Sequence, residues 1–270
     1  MNMARKKSNS RLFYIIGFVV VVAILGGYIY YQNVANARFE ASLGKPIAPS
    51  DYSLLLSLSN VYELNYSYVN IFNKLYSKPL YENGKLVVVY IGTEWCPYCA
   101  AERWALIIAL LRFGNFTGLK YMLSAGSPEP FPNTPTFTFH GSSYSSNYIV
   151  FYAYEYQDRN RNSLDSIPSQ YLQLFQAYGY SIPFISIGNV LIQVGSSVSP
   201  SLMSGKNWSQ IMQEIKSNTT LGRQIIYSAN VLTAAICLLN GNKPSSVCDQ
   251  PIIKDLEVAI AQRYNIASSM

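Results

Sequence analysis

Histidine is nearly missing from this chain: His140 is the only one among 270 residues. Imidazole clusters that could cage a metal are therefore ruled out. His140 stands between "TFTF" and the polar stretch "HGSSYSSN", the setting of a surface loop residue, and nothing beside it completes a Cys–His catalytic pair. Copper delivery would want His or softer ligands close by, and these are lacking too. Charge is scarce, with Asp, Glu, Lys and Arg at 13%. A surface so poor in charge has to be wetted by Ser, Asn, Thr and the 23 tyrosines, which read mostly as core and surface filler. Cysteine stops at four, as Cys96/Cys99 and Cys237/Cys248. An all-thiolate zinc site needs closely spaced pairs, and ten residues separate the second two, so no metal is expected. No cofactor is expected either, and there is no internal repeat or low-complexity tract.

The net charge of +6 invites a nucleic-acid reading, but its distribution argues against one. Arg5, Lys6, Lys7 and Arg11 lie in a flank, residues 1–11, that has no acid. The rest of the chain holds 16 basic against 14 acidic residues, so no phosphate-binding surface and no nucleic-acid partner are expected. After the flank comes "LFYIIGFVVVVAILGGYIYY", residues 12–31, without a charge. At ~1.5 Å per residue this run spans the ~30 Å hydrocarbon layer. Tyr28, Tyr30 and Tyr31 fall where interfacial aromatics belong, and the basic flank puts the N-terminus in the cytoplasm. Ala35-Asn36-Ala37 has the form of a signal-peptidase site, but the apolar run is long for a signal core, which favours an uncleaved, single-pass anchor in the cell membrane. On either reading the main domain is extracytoplasmic. Asn-x-Ser/Thr triplets at Asn65, Asn115, Asn207 and Asn218 are glycosylation candidates that suit an exported, charge-poor surface.

Residues 32–52 contain Gly, two Pro and small polar residues and read as a tether; residues 53–270 read as one domain. Near-helical spacing of Leu54, Leu55, Leu58, Val61, Tyr62, Tyr66, Val69 and Phe72 predicts a helix over 53–78. The Asn83-Gly84-Lys85 turn leads into "LVVVYIG", residues 86–92, a β-branched run typical of a strand buried on both faces. From Cys96 the pattern becomes that of a largely buried helix. "LKYML", "TFTF" and "YIVFYAYEY" read as strands, the last two separated by the loop "HGSSYSSN" and the first two by a Pro-rich loop. A helix is predicted from about Leu164, with Pro168 in its first turn and Gly179 as its stop. Residues 181–195 read as a hairpin about Gly188-Asn189, and from about 207 the chain turns helical. The stretch 221–240 is a packing helix rather than a second span, since it holds Arg223, Gln224, Asn230 and Asn240. Strand, helix, strands, helix, hairpin, helices: the order implies an α/β sheet with a parallel core.

Cys96 and Cys99, in "YIGTEWCPYCAAERWALIIALL", fall where the strand runs into the helix. At a helix N-terminus the unpaired backbone N–H groups and about half a positive charge favour an anion, here the thiolate that attacks disulfides. Pro97 suits the first turn, where it costs no hydrogen bond, and Trp95 covers one side of the sulfur. On this logic Cys96 is the nucleophile and Cys99 the resolving thiol. An ordinary buried disulfide is the bland alternative.

"LVVVYIGTEWCPYCA" resembles the active-site strand and helix start of the thioredoxin superfamily, and "IPF" at 182–184 before a Gly-Asn hairpin resembles its cis-proline strand. With the anchor, "NTPTFTF" and the C-terminal cysteine pair, the chain is similar to an archaeal family of uncharacterised, membrane-anchored thioredoxin-like proteins. The resemblance implies a thioredoxin-like fold, a central mixed sheet flanked by helices, with an insertion and C-terminal helical additions. It implies Cys96 and Cys99 as the exchanging pair and a cis Ile182–Pro183 bond that shapes a groove for client backbone; Trp95, Pro97 and Tyr98, beside the cysteines, are read with Ile182 and Pro183 as the substrate-binding residues. Three features depart from the superfamily. Tyr90 stands where thioredoxins carry a buried carboxylate, leaving Glu102 or a water as proton acceptor. The intervening dipeptide is Pro-Tyr, as in glutaredoxins. Cys99 and Pro183 are also unusually far apart in sequence.

Cys237 and Cys248 read as a structural disulfide in a loop between helices, worth about 3 kcal/mol by chain entropy. A second redox pair trading electrons with the first is the alternative. The function expected is thiol–disulfide oxidoreduction on thiols and disulfides of exported clients, with an electron-transfer partner still to be named. Its rival is a non-catalytic envelope binding or assembly protein on the same fold. A peroxide-reducing enzyme would rely on Thr93 and Arg103.

Overall fold

The computed structural model describes residues 10–267, and contacts divide the chain after Leu43. In the first unit, helix α1 covers Ser10–Glu40. It continues through residues 32–40, where the composition predicts a tether. The Gly and Pro behind that expectation come later, at Gly44, Pro46 and Pro49, so no Gly or Pro between 32 and 40 stops the helix. The stretch Phe13–Tyr30 is long and apolar enough to cross a membrane and is compatible with a single anchor. Residues 1–9, with most of the basic flank, lie outside the described residues.

The second unit opens with α2 (Pro49–Leu58), Pro49 in its first turn. The helix predicted over 53–78 ends there. A 3₁₀ turn (Tyr66–Ile71) and strand β1 (Phe72–Lys74) follow. Val61, Tyr62, Tyr66, Tyr68, Val69 and Phe72 have low helix propensity, and Asn65 Oδ1 accepts the Ser67 amide at 3.0 Å, a local bond that competes with helix. Strands β2 (Tyr81–Glu82) and β3 (Lys85–Gly92) flank Asn83-Gly84, whose φ values of 50° and 76° suit a two-residue hairpin. Helix α3 (Pro97–Leu111) is buried nearly all round.

Four short strands come next: β4 (Gly114–Thr117), β5 (Lys120–Leu123), β6 (Pro135–Thr138) and β7 (Ser143–Ser146). β5 pairs with β6, and β7 pairs with β4, so the stretch expected as a plain loop carries a strand. β8 (Ile149–Glu155) precedes α4 (Ser169–Ala177). The predicted start at Leu164 is five residues early. The Leu164 and Asp165 amides bond back to Tyr156 and Glu155, and Pro168 disfavours helix in the residue before it. Hairpin β9 (Phe184–Ile187) and β10 (Leu191–Val194) turns at Gly188-Asn189 as predicted. The chain ends in α5 (Trp208–Lys216), α6 (Thr220–Asn240), α7 (Ser245–Cys248) and α8 (Pro251–Tyr264).

The central sheet has the order β1-β10-β9-β3-β2, with β8 also paired to β3. It is mixed: β3 runs parallel to β8 and antiparallel to β9. Alternation sends Val87, Val89 and Ile91 to one face, where they pack with Phe184, Ile192 and the α4 residues Tyr171 and Phe175. Leu86, Val88 and Tyr90 fill the other face, where α6 packs on β3 and β9 and α3 packs on α6. Helices therefore flank a central mixed sheet. α6 is also long and apolar enough to cross a membrane, but 83% of it is buried inside the fold, which marks it as a core helix. Its start presses on α5: a Cβ at Gly222 would meet the Glu214 carbonyl oxygen at 2.2 Å.

Candidate active site

Strand β3 delivers the chain to α3 through Thr93, Glu94 and Trp95, each tied down. The Glu94 amide donates to Gln157 O at 3.0 Å, Trp95 O accepts from the Ala125 amide at 2.9 Å, and the Glu94 carboxylate accepts from Thr138 Oγ1 at 2.6 Å. Cys96 is the N-cap of α3, and Pro97 begins the helix. The Cys99 amide donates to Cys96 Sγ at 3.2 Å, so the sulfur occupies the place that a serine or aspartate oxygen takes in ordinary caps. Both cysteines are free thiols. Cys96 is 4% exposed and Cys99 fully buried.

Their environments push the two thiols apart. A hydrogen bond from the Cys99 thiol holds Cys96 below the usual cysteine range, against the effect of burial, and backbone amides and the Arg103 charge add to it. Burial drives Cys99 well above that range, and the neighbouring Cys96 adds to it. The first sulfur is the one disposed to carry charge, and the second holds its proton.

Around the pair, Trp95 donates its indole N–H to Gln157 at 2.9 Å, and the Arg161 guanidinium lies 3.8 Å from the Trp95 ring centroid. Arg161 also pairs with Glu129 in the Pro-rich loop. Tyr98 is 43% exposed and meets Phe131 edge-on at 6.0 Å, while its neighbour Pro97 is buried. Half-buried Tyr156 is close enough for the cysteine charges to raise its hydroxyl, after burial as the main cause. The Ile182–Pro183 bond is cis. Ile91 lies opposite Phe184, so the register puts Pro183 beside Gly92, at the end of β3 that leads to Cys96. Sequence reasoning missed Phe131, Tyr156 and Arg161. They come from distant loops, and no local spacing ties them to the cysteines.

One further expectation changes. Glu102, offered as a proton acceptor, is fully buried and accepts from Ser196 Oγ at 3.0 Å, Ser197 N at 2.8 Å and Ser228 Oγ at 3.0 Å. Its oxygens are committed to joining α3 to the 196–198 segment and α6. Beneath the pair there is instead a buried ion pair, Arg103 with Glu155, at 2.7 Å. His140 bonds Asp165 at 2.7 Å and is part-exposed. Of the glycosylation candidates, Asn115 and Asn218 are exposed, and Asn65 and Asn207 are half-buried caps.

Cys237 and Cys248 are joined by a disulfide, both buried. Cys237 lies inside α6 and Cys248 ends α7, so the bridge staples two helices rather than a loop. The Glu257 carboxylate lies within 4.8 Å of both sulfurs, but bonded to each other they offer no thiolate ligand. Burial, together with Asp249 and against Lys254, raises Glu257 to about 7. With its amide turned so that the nitrogen faces them, Asn242 donates to Glu257 Oε2 at 2.7 Å and to the Cys237 carbonyl at 3.1 Å. A folded value above the unfolded 4.5 means that the folded state holds this proton the longer. Stability is then highest below pH ~4.5, declines as pH rises to ~7 and is flat beyond, as far as this group is concerned. Glu257→Gln should stabilise the protein by about 1–2 kcal/mol at pH 8, allowing for solvent screening, and flatten that decline. Denaturant melts at several pH values measure both.

Fold and site together define a class: an α/β domain on a mixed sheet that presents two free, closely spaced cysteines at the first turn of a buried helix. Residues 71–238 match the family described as a domain of unknown function (DUF929), and the chain belongs to that family. The matched stretch holds all ten strands found among the described residues, the Cys96/Cys99 pair and Pro183. No curated protein and no solved structure matches the chain.

Proposed function

We propose that this protein is a membrane-anchored, extracytoplasmic thiol–disulfide oxidoreductase on a thioredoxin-like fold, acting on cysteines of exported proteins. The observation that carries the reading is Cys96 capping α3 with its own sulfur, its thiol lowered while that of Cys99 is raised. That asymmetry is what exchange needs: an attacking thiolate and a second thiol that keeps its proton until a mixed disulfide forms. Cys96 attacks, and Cys99 resolves. Trp95, Pro97, Tyr98, Ile182 and Pro183 hold the client backbone, and Phe131, Tyr156 and Arg161 extend that rim. The basic flank of α1 keeps the N-terminus in the cytoplasm. The couple is returned to its working state by an electron-transfer partner, and Asn115 and Asn218 are the best-placed glycan acceptors.

The test is exchange with a model disulfide. Cys96→Ala should lose it to background, while Cys99→Ala should still attack and accumulate a mixed disulfide on Cys96. In the native chain a thiol alkylator at neutral pH should label Cys96 and spare Cys99. Cys96→Ala exchanging at the native rate would sink the proposal, and a native Cys96 that resists alkylation would favour a binding or assembly module.

A further inference from the structure

Arg103 follows Cys99 by four residues on α3, so the two side chains leave the same face of the helix. The guanidinium is completely buried. Its Nε and Nη2 donate to the two Glu155 oxygens, each at 2.7 Å, and Nη2 also donates to the Thr93 carbonyl at 2.6 Å. Glu155 closes β8 opposite Gly92, where β3 ends. The remaining edge of the guanidinium, at Nη1, has no hydrogen-bond partner among the described residues, and neither have the buried Tyr90 hydroxyl and Thr93 Oγ1. Tyr90 lies against this group: the Arg103 guanidinium is 5.7 Å from its ring centroid, and a Cβ at Gly92 would overlap its hydroxyl. A buried cation with one free donor edge and two free hydroxyls thus gather where the cysteine pair sits, and the one carboxylate bonded to the cation presents both its oxygens to it.

We propose that Arg103, held by Glu155, is a positioning residue that stabilises negative charge on the paired sulfurs and makes Cys96–Cys99 a disulfide donor to reduced cysteine pairs of client proteins. The proposal rests on the exchange chemistry above and adds its direction. A disulfide carries no charge and gains nothing from a neighbouring cation. The reduced pair carries a thiolate, so Arg103 lowers the free energy of the reduced side alone, and a couple whose reduced form is stabilised is an oxidant. Tyr90 stands in the strand without bringing a competing negative charge.

The step balances. A client thiolate attacks Sγ of Cys96; the client–Cys96 bond forms, the Cys96–Cys99 bond breaks, and the electron pair leaves on Cys99 beside Arg103. Cys99 takes up the proton that the second client thiol releases. That second sulfur attacks the first, forming the client disulfide and returning the electron pair to Cys96 as thiolate. The client loses two electrons, and the pair gains them.

The experiment equilibrates the full chain, in detergent, with graded ratios of reduced and oxidised glutathione and reads the Cys96–Cys99 state by alkylation and mass. Glu155→Gln keeps the cation and removes its counter-charge, so the equilibrium should move about threefold toward reduced protein. Arg103→Met with Glu155→Gln removes both charges and should move it about tenfold the other way from native, or ~30 mV for a two-electron couple. An ion pair with only a structural role would move neither, or both in one direction, and either outcome overturns the proposal. If the double variant does not fold, Glu155→Gln decides alone, and no shift toward reduced protein overturns it. Oxidised native chain should also restore disulfides to a reduced, unfolded substrate protein, and failure to transfer any while still exchanging with glutathione refutes the direction. A native pair that never equilibrates with glutathione refutes the exchange chemistry itself.

Discussion

Arg103→Met alone should lower the unfolding free energy by about 3–5 kcal/mol, and adding Glu155→Gln should restore most of it. The single substitution leaves the Glu155 carboxylate fully buried without its cation, stranded in a low-dielectric interior where water cannot reach it. The double variant removes both charges, and an uncharged pair of similar size in a packed interior is close to neutral. Recovery stays incomplete because the Thr93 carbonyl loses its donor. Denaturant unfolding of the two single variants and the double gives the coupling directly, provided the m-value is unchanged. A single variant within about 1 kcal/mol of native would mean that water reaches the pair and that Arg103 is not a dry cation beside Cys99.

The parts of this fold that could be read in the sequence are those whose cause is local. Asn83-Gly84, the β-branched run 86–92 and Pro97 each act within a few residues, and together they place β3, α3 and the cysteine pair where they are found. The Gly188-Asn189 hairpin and the apolar stripe of α6 are of the same kind. Where local preference is divided, the reading goes wrong. Residues 59–78 alternate Tyr, Val and Asn at spacings that suit a helix, yet the Asn65 cap and the pairing of β1 with β10 decide for a 3₁₀ turn followed by a short strand. β7, a run of Ser and Tyr without hydrophobic alternation, exists because β4 offers it a ladder.

The candidate site divides in the same way. The cysteines announce themselves, but what surrounds them does not. Arg103 and Glu155 are 52 residues apart, and their pairing is decided by the parallel register of β3 and β8, which no motif encodes. The charges on α3 are visible in "AAERWAL", and reading Glu102 as the acceptor reflects only that it is a carboxylate close in sequence. Rotation along the helix sends it to the serines at 196, 197 and 228 and gives the face under Cys99 to Arg103. The signal that could have flagged this was an arginine in an otherwise apolar stretch, which must find a buried partner.

Cys237→Ala with Cys248→Ala should cost about 3 kcal/mol, and in the native chain this disulfide should survive reductant levels that fully reduce Cys96–Cys99. The first part follows from loop closure. The bond ties residues 11 apart, and without it the unfolded chain regains the corresponding entropy. The second follows from position. Cys96 caps α3 beside the exposed Tyr98 and keeps a sliver of surface, whereas Cys237 lies within α6 with no exposure at all and Cys248 has 1%. A reductant reaches those sulfurs only when α6 and α7 part, so their reduction should accelerate with denaturant in step with unfolding, while that of Cys96–Cys99 should not. Stepwise reductant titration with alkylation separates the two. Reduction of both pairs in parallel would instead make Cys237–Cys248 an electron relay for the first pair. The helices around it would then have to open in every cycle, which a core of this kind, held by the buried stripe of α6, is built to resist.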